Sequence, residues 1–294
     1  MNSYYFNHIS SMLIIFGTVF CLILYSIVSK NFIDLIAISG ILSVGIVHGA
    51  NDLLLINKTF NSNRSTFFQF FLYLILVILF FIFFYNVPSL ALLIFVILSS
   101  FHFGEHQWTL FEKNDNYFIK FFYFNYGLLI FSILFYFNFT EVVLIIKDIT
   151  EQNINITFFK NLLFFSSLTT LSFSVVLYKH LKNQLLIQLF FITFFLFSVY
   201  ITDLLLSFAI YFVLWHSLPS ILEQTKFLFG NSNKTQLKIY LKKALLYWII
   251  SIFGLVVTYY IFKDSQSQLL SIFFSFLAAI TFPHTFVISK IKKP

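Results

Sequence analysis

Five histidines lie within strongly apolar stretches of this sequence, where an imidazole is unusual. They are His48, His102, His106, His216 and His284. An ionisable side chain inside a hydrophobic segment is expensive to bury and therefore suggests a functional site. The sequence has one cysteine, Cys21, so any metal site would be built on imidazoles and not on thiolates. Imidazole-rich sites of this kind suit iron, zinc, copper or nickel. We predict that several of these histidines converge on one metal ion.

The segment Phe101–His106 contains two of these histidines. His102 and His106 are four residues apart, so they share one face if the segment is helical. Such a pair is a common bidentate arrangement for a metal. Glu105 would project about 100° away from His106, so we do not predict it to be a ligand. The alternative for His106 is a solvated position near the end of a helix.

An earlier segment combines a histidine with a carboxylate. His48 and Asp52 are four residues apart, and on a helix they would share a face. A carboxylate beside a ligating imidazole can fix its tautomer and raise its basicity. We predict that Asp52 supports the site in this way and does not itself bind the metal. The small residues Gly45, Gly49 and Ala50 would allow close helix packing. The alternative is a plain hydrogen bond between His48 and Asp52.

The last two apolar histidines each lie near a proline. Pro219 follows His216 by three residues and is expected to bend the helix there. Pro283 directly precedes His284 and is expected to kink the final span. The alternative for both histidines is ordinary packing with a satisfied imidazole. Two further histidines are predicted to be solvated at loop edges: His8 and His180.

The elements that would carry these histidines are predicted to be transmembrane helices. Of the 294 residues, 60% are hydrophobic and 10% are charged, whereas a soluble domain has roughly 25% charged residues. Apolar runs long enough to cross a bilayer recur throughout the chain. We predict an all-α fold, a polytopic transmembrane helix bundle in a single integral membrane domain, residues 1–294. About ten spans (range 8–10) are expected: 10–29, 32–56, 66–86, 88–111, 117–137, 157–178, 184–201, 203–224, 240–262 and 267–289.

The distribution of basic residues predicts the orientation of the chain. If both termini are cytoplasmic, fourteen of the 18 lysines and arginines lie on the cytoplasmic side. This accounts for the net charge of +7, and nothing indicates nucleic-acid binding. Each of the five apolar histidines then falls in the later part of an even-numbered span, at a similar depth. The first apolar run has no basic leader and no small-residue cleavage site, so it is interpreted as a retained helix. The predicted location is a bacterial plasma (inner) membrane.

The 46 phenylalanines allow two interpretations. They could be bulk that faces lipid, or they could line a tunnel for a long apolar ligand. Composition does not separate the two.

Four motifs, in order and spacing, resemble the Brp/Blh family of membrane β-carotene 15,15′-dioxygenases. The similarity covers roughly residues 40–290, and the matching pieces are His48-Gly49-Ala50-Asn51-Asp52, Phe101-His102-Phe103-Gly104, Trp215-His216-Ser217-Leu218 and Pro283-His284. The resemblance implies an all-helical membrane enzyme that holds a nonhaem Fe(II) on His48, His102 and His216. It implies cleavage of β-carotene, drawn from the membrane lipid, with O2 at the central double bond. The products would be two all-trans-retinal molecules, typically passed to a rhodopsin.

The sequence departs from this family at one position. The third motif usually has a second histidine four residues after the first, and this chain has Ser220 there. Three explanations are open. His106 or His284 could be the fourth ligand, the metal could keep three histidines and an extra water, or the chain could be inactive.

Two other classes of protein remain as alternatives. One is a non-catalytic membrane protein that binds a carotenoid or retinal, or that transports metal ions or protons. A transporter would be expected to show repeat symmetry, and no internal repeat is obvious. The other is an electron carrier with a haem held by two histidines.

Overall fold

The computed structural model of the protein describes residues 3–60, 65–109, 118–262 and 269–290. Every regular element in these ranges is helical, and no β-strand occurs among them, which confirms the predicted all-α class. In chain order the elements are α1 (Ser3–Ile27), α2 (Lys30–Gly40), the π-helix π1 (Ile41–Gly45), α3 (Asp52–Phe60), α4 (Thr66–Asn86), α5 (Pro88–Thr109), α6 (Ile119–Phe137), α7 (Phe139–Thr150), α8 (Ile156–Val176), α9 (Tyr178–Ile201), α10 (Leu204–Ala209), the π-helix π2 (Ile210–Ser217), α11 (Leu218–Phe229), α12 (Lys234–Phe262) and α13 (Leu269–Lys290).

Nine helical segments in the described ranges are long and apolar enough to cross a membrane. This number lies within the predicted eight to ten spans. The predicted span 32–56 is not one of them, because the helix from α2 through π1 gives way to a turn at residues 48–51 before α3 begins. On which side of the membrane the termini lie remains a prediction.

Much of the described surface is apolar, as expected for helices that face lipid. Fifteen phenylalanine side chains are exposed by half or more: Phe16, Phe20, Phe32, Phe67, Phe68, Phe71, Phe118, Phe121, Phe158, Phe164, Phe165, Phe190, Phe197, Phe253 and Phe286. A soluble protein rarely exposes apolar surface on this scale. For these residues the structure favours lipid-facing bulk over the lining of a tunnel.

The packing of the chain forms two compact units. Unit 1 comprises residues 1–41, 99–143 and 154–219, and unit 2 comprises residues 42–98, 144–153 and 220–294. The predicted single domain over 1–294 remains a prediction.

In unit 1, small residues bring helix backbones close together. Ser132 on α6 and Ser166 on α8 share a hydrogen bond of 2.8 Å between their hydroxyls. Gly104 on α5 and Gly127 on α6 lie where the two backbones touch. Small residues at helix crossings are the usual means of close packing in membranes.

In unit 2, α4 and α13 pack through aromatic and small side chains. Phe80 stacks on Phe282 with ring centroids 4.0 Å apart. Ala278 and Ala279 are 1% exposed and belong to the same buried cluster. This contact fixes the helix that carries His284 against α4.

Candidate metal centre

The five histidines singled out in the sequence are all buried. Their exposed fractions are 4% for His48, His102 and His106, 1% for His216 and 2% for His284. The solvated alternative for His106 is therefore wrong. His180 is exposed, as predicted, and the side chain of His8 lies outside the described residues.

Unit 1 brings three of these imidazoles together from two helical segments. Nε2 of His102 on α5 lies 3.2 Å from Nε2 of His216 on π2. The ring of His106, one turn further along α5, stands edge-on to that of His216 with centroids 4.6 Å apart. The prediction that His102 and His106 share a face of one helix is consistent with both rings meeting His216.

The separation of the two Nε2 atoms fits a shared metal ion. Imidazole nitrogens bind a metal such as zinc at about 2.0–2.1 Å. At that bond length, neighbouring ligands around one ion are about 2.8–3.4 Å apart, from octahedral to tetrahedral geometry. The 3.2 Å between His102 and His216 falls inside this interval. Two Nε2 atoms that face each other so closely can also share one proton.

The position of α5 depends on its contact with α6 at two glycines. A Cβ on Gly104 would lie 2.8 Å from the carbonyl carbon of Tyr123 and 2.9 Å from the amide nitrogen of Gly127. A Cβ on Gly127 would lie 2.6 Å from the carbonyl carbon of Ser100. Real Cβ atoms do not come so close, so both positions require glycine. Gly104 lies between His102 and His106, so this crossing places both imidazoles.

His216 lies in a π-helix and not in a regular α-helix. In π2 the chain makes wide turns, and the amide of Leu218 donates to the carbonyl of Val213, five residues earlier. Pro219 follows directly; it has no N–H to continue an α-helical pattern, and its ring displaces the carbonyl four residues before it. The expected disturbance at Pro219 is therefore present, but it is a widening of the preceding turns. Single π turns inside helices occur frequently at functional sites.

Side chains supply hydrogen bonds to the backbone of π2 and anchor it to α1. The hydroxyl of Ser217 donates to the carbonyl of Phe212 at 2.7 Å, also five residues earlier. The indole N–H of Trp215 donates to the hydroxyl of Thr18 on α1 at 2.9 Å, and both groups are buried. The residues on either side of His216 thus hold the ring in place.

In unit 2, His48 lies in a turn, which corrects the prediction that His48 and Asp52 share a helix face. The amides of Gly49, Ala50 and Asp52 each donate to a carbonyl three residues earlier. These tight turns do not keep the α-helical spacing, so residues four apart point in different directions. Nδ1 of His48 instead donates to the carbonyl of Gly45.

Asp52 is hydrogen-bonded to His284 and to a tyrosine. Nδ1 of His284 donates to Oδ1 of Asp52 at 2.8 Å, and the hydroxyl of Tyr73 on α4 donates to Oδ2 at 2.8 Å. The side chains of His284 and Asp52 are 3% and 2% exposed. The rings of His48 and His284 stand edge-on with centroids 4.6 Å apart. A carboxylate does support an imidazole here, but that imidazole is His284.

Helix α12 holds the irregular segment around His48. Backbone polar groups outside regular helices need partners in a membrane. The indole N–H of Trp248 donates to the carbonyl of Leu42 at 2.7 Å. The single hydroxyl hydrogen of Tyr240 is shared between the carbonyl of His48 at 3.2 Å and the side-chain oxygen of Gln224. The side-chain amide of Asn51 donates in turn to the carbonyl of Tyr240 at 3.0 Å.

The same network reaches Ser220, where the Brp/Blh motif has a histidine. The amide of Gln224 donates to the Ser220 hydroxyl at 2.9 Å, and its oxygen accepts from Tyr240 at 2.7 Å. Ser220 is 5% exposed. The serine is therefore a buried member of the network that supports the His48 turn.

Sequence reasoning missed several groups that position these histidines. Tyr73 and Tyr240 are far from them in sequence, and nothing in their local sequence marks a polar role. The spacing of His216 and Pro219 was the available signal for π2. Gly104 was noticed as part of a motif but not as a point of backbone contact.

The donor set fits a metal bound through nitrogen. The buried histidines that can serve as ligands include His48, His216 and His284. For His48 and His284, the hydrogen bond made by Nδ1 places the lone pair on Nε2, as in many metal sites.

The comparisons with known proteins give one match. The family model described as beta-carotene 15,15′-dioxygenase matches residues 39–292. The match includes all five buried histidines, Asp52 and Ser220. No curated protein and no solved structure gives a significant match.

Proposed function

The chain belongs to the beta-carotene 15,15′-dioxygenase family, and from that premise we propose that it cleaves β-carotene at its central double bond. One O2 is consumed, and each carbon of the broken bond receives one oxygen atom, so that one C40 hydrocarbon gives two molecules of all-trans-retinal. The observation that supports this best is the buried pair His102–His216, with Nε2 atoms 3.2 Å apart.

The proposed cofactor is one nonhaem Fe(II). His48, His102 and His216 are its proposed ligands, with His106 or His284 in the fourth position. When bound, the ferrous ion would supply the site at which O2 is activated. The all-imidazole, thiolate-free donor set suits this metal. Asp52 is proposed to act through hydrogen bonding and not as an acid or base.

The protein's own contribution would be to hold the polyene. β-Carotene dissolves in the bilayer, so we propose that it enters laterally between helices. Aromatic rings pack against His216: the centroid of Phe103 lies 4.8 Å away, and the ring of Phe212 is stacked at 6.2 Å. Such rings would exclude water and fit a conjugated chain. The choice of bond then depends on where the polyene is held.

The proposed setting is a bacterial plasma membrane that also holds a rhodopsin. Retinal formed within the bilayer could pass to such a partner without entering water. The nine apolar helices are compatible with an integral membrane protein.

Co-expression in bacteria that accumulate β-carotene tests the activity. We expect loss of the orange colour and the appearance of retinal, with about one iron per chain in the purified protein. His216→Ala should abolish the formation of retinal and the binding of iron. His180→Ala, at an exposed histidine, should behave as wild type. Intact carotene in cells that contain folded, iron-loaded wild-type protein would refute the proposal.

A further inference from the structure

We propose that Tyr73 and Asp52 form a hydrogen-bonded chain that orients the imidazole of His284 as the fourth metal ligand, so that His106 is not a ligand. This inference rests on the proposed function, because it concerns the same metal site. It assigns a positioning role to Tyr73, a residue in none of the sequence motifs.

Both oxygens of the Asp52 carboxylate are engaged by protein donors. Oδ1 accepts from Nδ1 of His284 and Oδ2 accepts from the hydroxyl of Tyr73, each at 2.8 Å. A carboxylate that is 2% exposed in an apolar bundle is stable only if donors compensate for the lost water. These two bonds bring α3, α4 and α13 together at one point. A charge compensated in this way is a fixed support for its imidazole partner.

The hydrogen bond from His284 to Asp52 determines which nitrogen of His284 can bind a metal. Because Nδ1 carries the hydrogen that Asp52 accepts, the lone pair of the neutral ring is on Nε2. The same holds for His48, whose Nδ1 donates to the carbonyl of Gly45. The two rings are neighbours, with centroids 4.6 Å apart. Unit 2 thus presents two imidazoles in the same tautomer, each fixed by a separate acceptor.

Packing also fixes the ring of His284. Gly49 lies beside this imidazole, and a Cβ there would make an ordinary contact with Nδ1 at 3.5 Å. The Asp52 acceptor and the neighbouring ring of His48 hold the imidazole in place. His284 therefore has the support that bound histidines generally have in metal proteins.

Metal binding by the full-length protein in lipid nanodiscs tests the inference. Co(II) serves as the probe, because its visible absorption reports the number and type of its ligands. Loss of a hydrogen bond behind a ligating histidine typically weakens metal binding about 10–100-fold. We expect Asp52→Asn to fall in this range and Tyr73→Phe to weaken Co(II) binding about tenfold. Tyr85→Phe is the matched control, since it removes an exposed hydroxyl from the same helix and should have no effect.

Two alanine variants distinguish the ligand from the packing residue. His284→Ala should change the Co(II) spectrum, and imidazole added to the buffer should partly restore it. His106→Ala should keep the wild-type spectrum. Unchanged Co(II) affinity in Tyr73→Phe, in protein that melts normally, would overturn the inference. A changed Co(II) spectrum in His106→Ala, with a wild-type spectrum in His284→Ala, would also overturn it. If Asp52→Asn does not fold, Tyr73→Phe still decides the matter.

The positioning role of Tyr73 and the proposed activity can be refuted independently of each other. If the wild-type protein makes retinal and Tyr73→Phe binds Co(II) normally, only the positioning role of Tyr73 and Asp52 is refuted. Wild-type protein that binds Co(II) through His284 but makes no retinal would refute only the proposed activity.

Discussion

Replacing Gly104 with alanine should disable the protein without touching a histidine. The new Cβ would lie 2.8 Å from the carbonyl carbon of Tyr123 and 2.9 Å from the amide nitrogen of Gly127. Both partners are backbone atoms, so no side chain can move aside to make room. Carbon atoms pack at about 3.5–4.0 Å, so α5 and α6 would have to separate by about 1 Å.

That displacement acts directly on the proposed ligand set. His102 lies two residues before Gly104 on the same helix, and its Nε2 is 3.2 Å from that of His216. A shift of about 1 Å in a reacting group can lower a rate about 100-fold. Overpacking of this kind typically also reduces the free energy of unfolding by about 1–3 kcal/mol. We expect Gly104→Ala to form retinal about 100-fold more slowly per folded molecule.

Retinal formation in carotene-producing cells, normalised to folded protein, provides the measurement. Gly254→Ala is a matched control on α12, because its Cβ would meet the ring of Phe276 at 3.6 Å, an ordinary contact. It should keep wild-type activity, and the better helix propensity of alanine should raise the free energy of unfolding by up to about 1 kcal/mol. Activity of Gly104→Ala within about twofold of Gly254→Ala would show that the close crossing does not position the site.

Three further outcomes are expected. Tyr240→Phe removes the donor to the carbonyl of His48 and should lower the free energy of unfolding by about 1–3 kcal/mol, which a lower melting temperature would show. Tyr260→Phe, at an exposed position, should leave the melting temperature unchanged. Ser217→Ala removes the donor to the carbonyl of Phe212 and should reduce stability by about 1 kcal/mol; an unchanged melting temperature would contradict this. A fluorescent protein fused after the last residue should fluoresce and a fused alkaline phosphatase should be inactive, as the positive-inside rule predicts; the reverse pattern would place the C-terminus outside.

Apolar periodicity was enough to predict the helices. The run 66–86 became α4 within its predicted bounds, since a long stretch without charge has one favourable structure in a bilayer. The polar groups near His48 were harder to predict. A spacing of four assumes a regular helix, and the turn at residues 48–51 does not keep that geometry.

The partners of the histidines depend on contacts between distant segments. Asp52 could have bonded to any donor brought near it, and only the folded chain selects His284, 232 residues away. Sequence did predict that a carboxylate would support an imidazole, since a buried carboxylate requires a donor. It could not identify which imidazole, because the choice is made by the packing of α3 against α13.

The π-helix that contains His216 gives this segment an unusual tolerance of length. A π turn contains about one residue more than an α turn, so removing a single residue between Ile210 and Trp215 would allow the wide turns to close into an α-helix. The helix after the deletion would keep nearly its orientation, whereas a deletion in a regular α-helix rotates everything that follows by about 100°. A scan of single-residue deletions would detect this difference between π2 and α5, whereas substitutions alone would miss it.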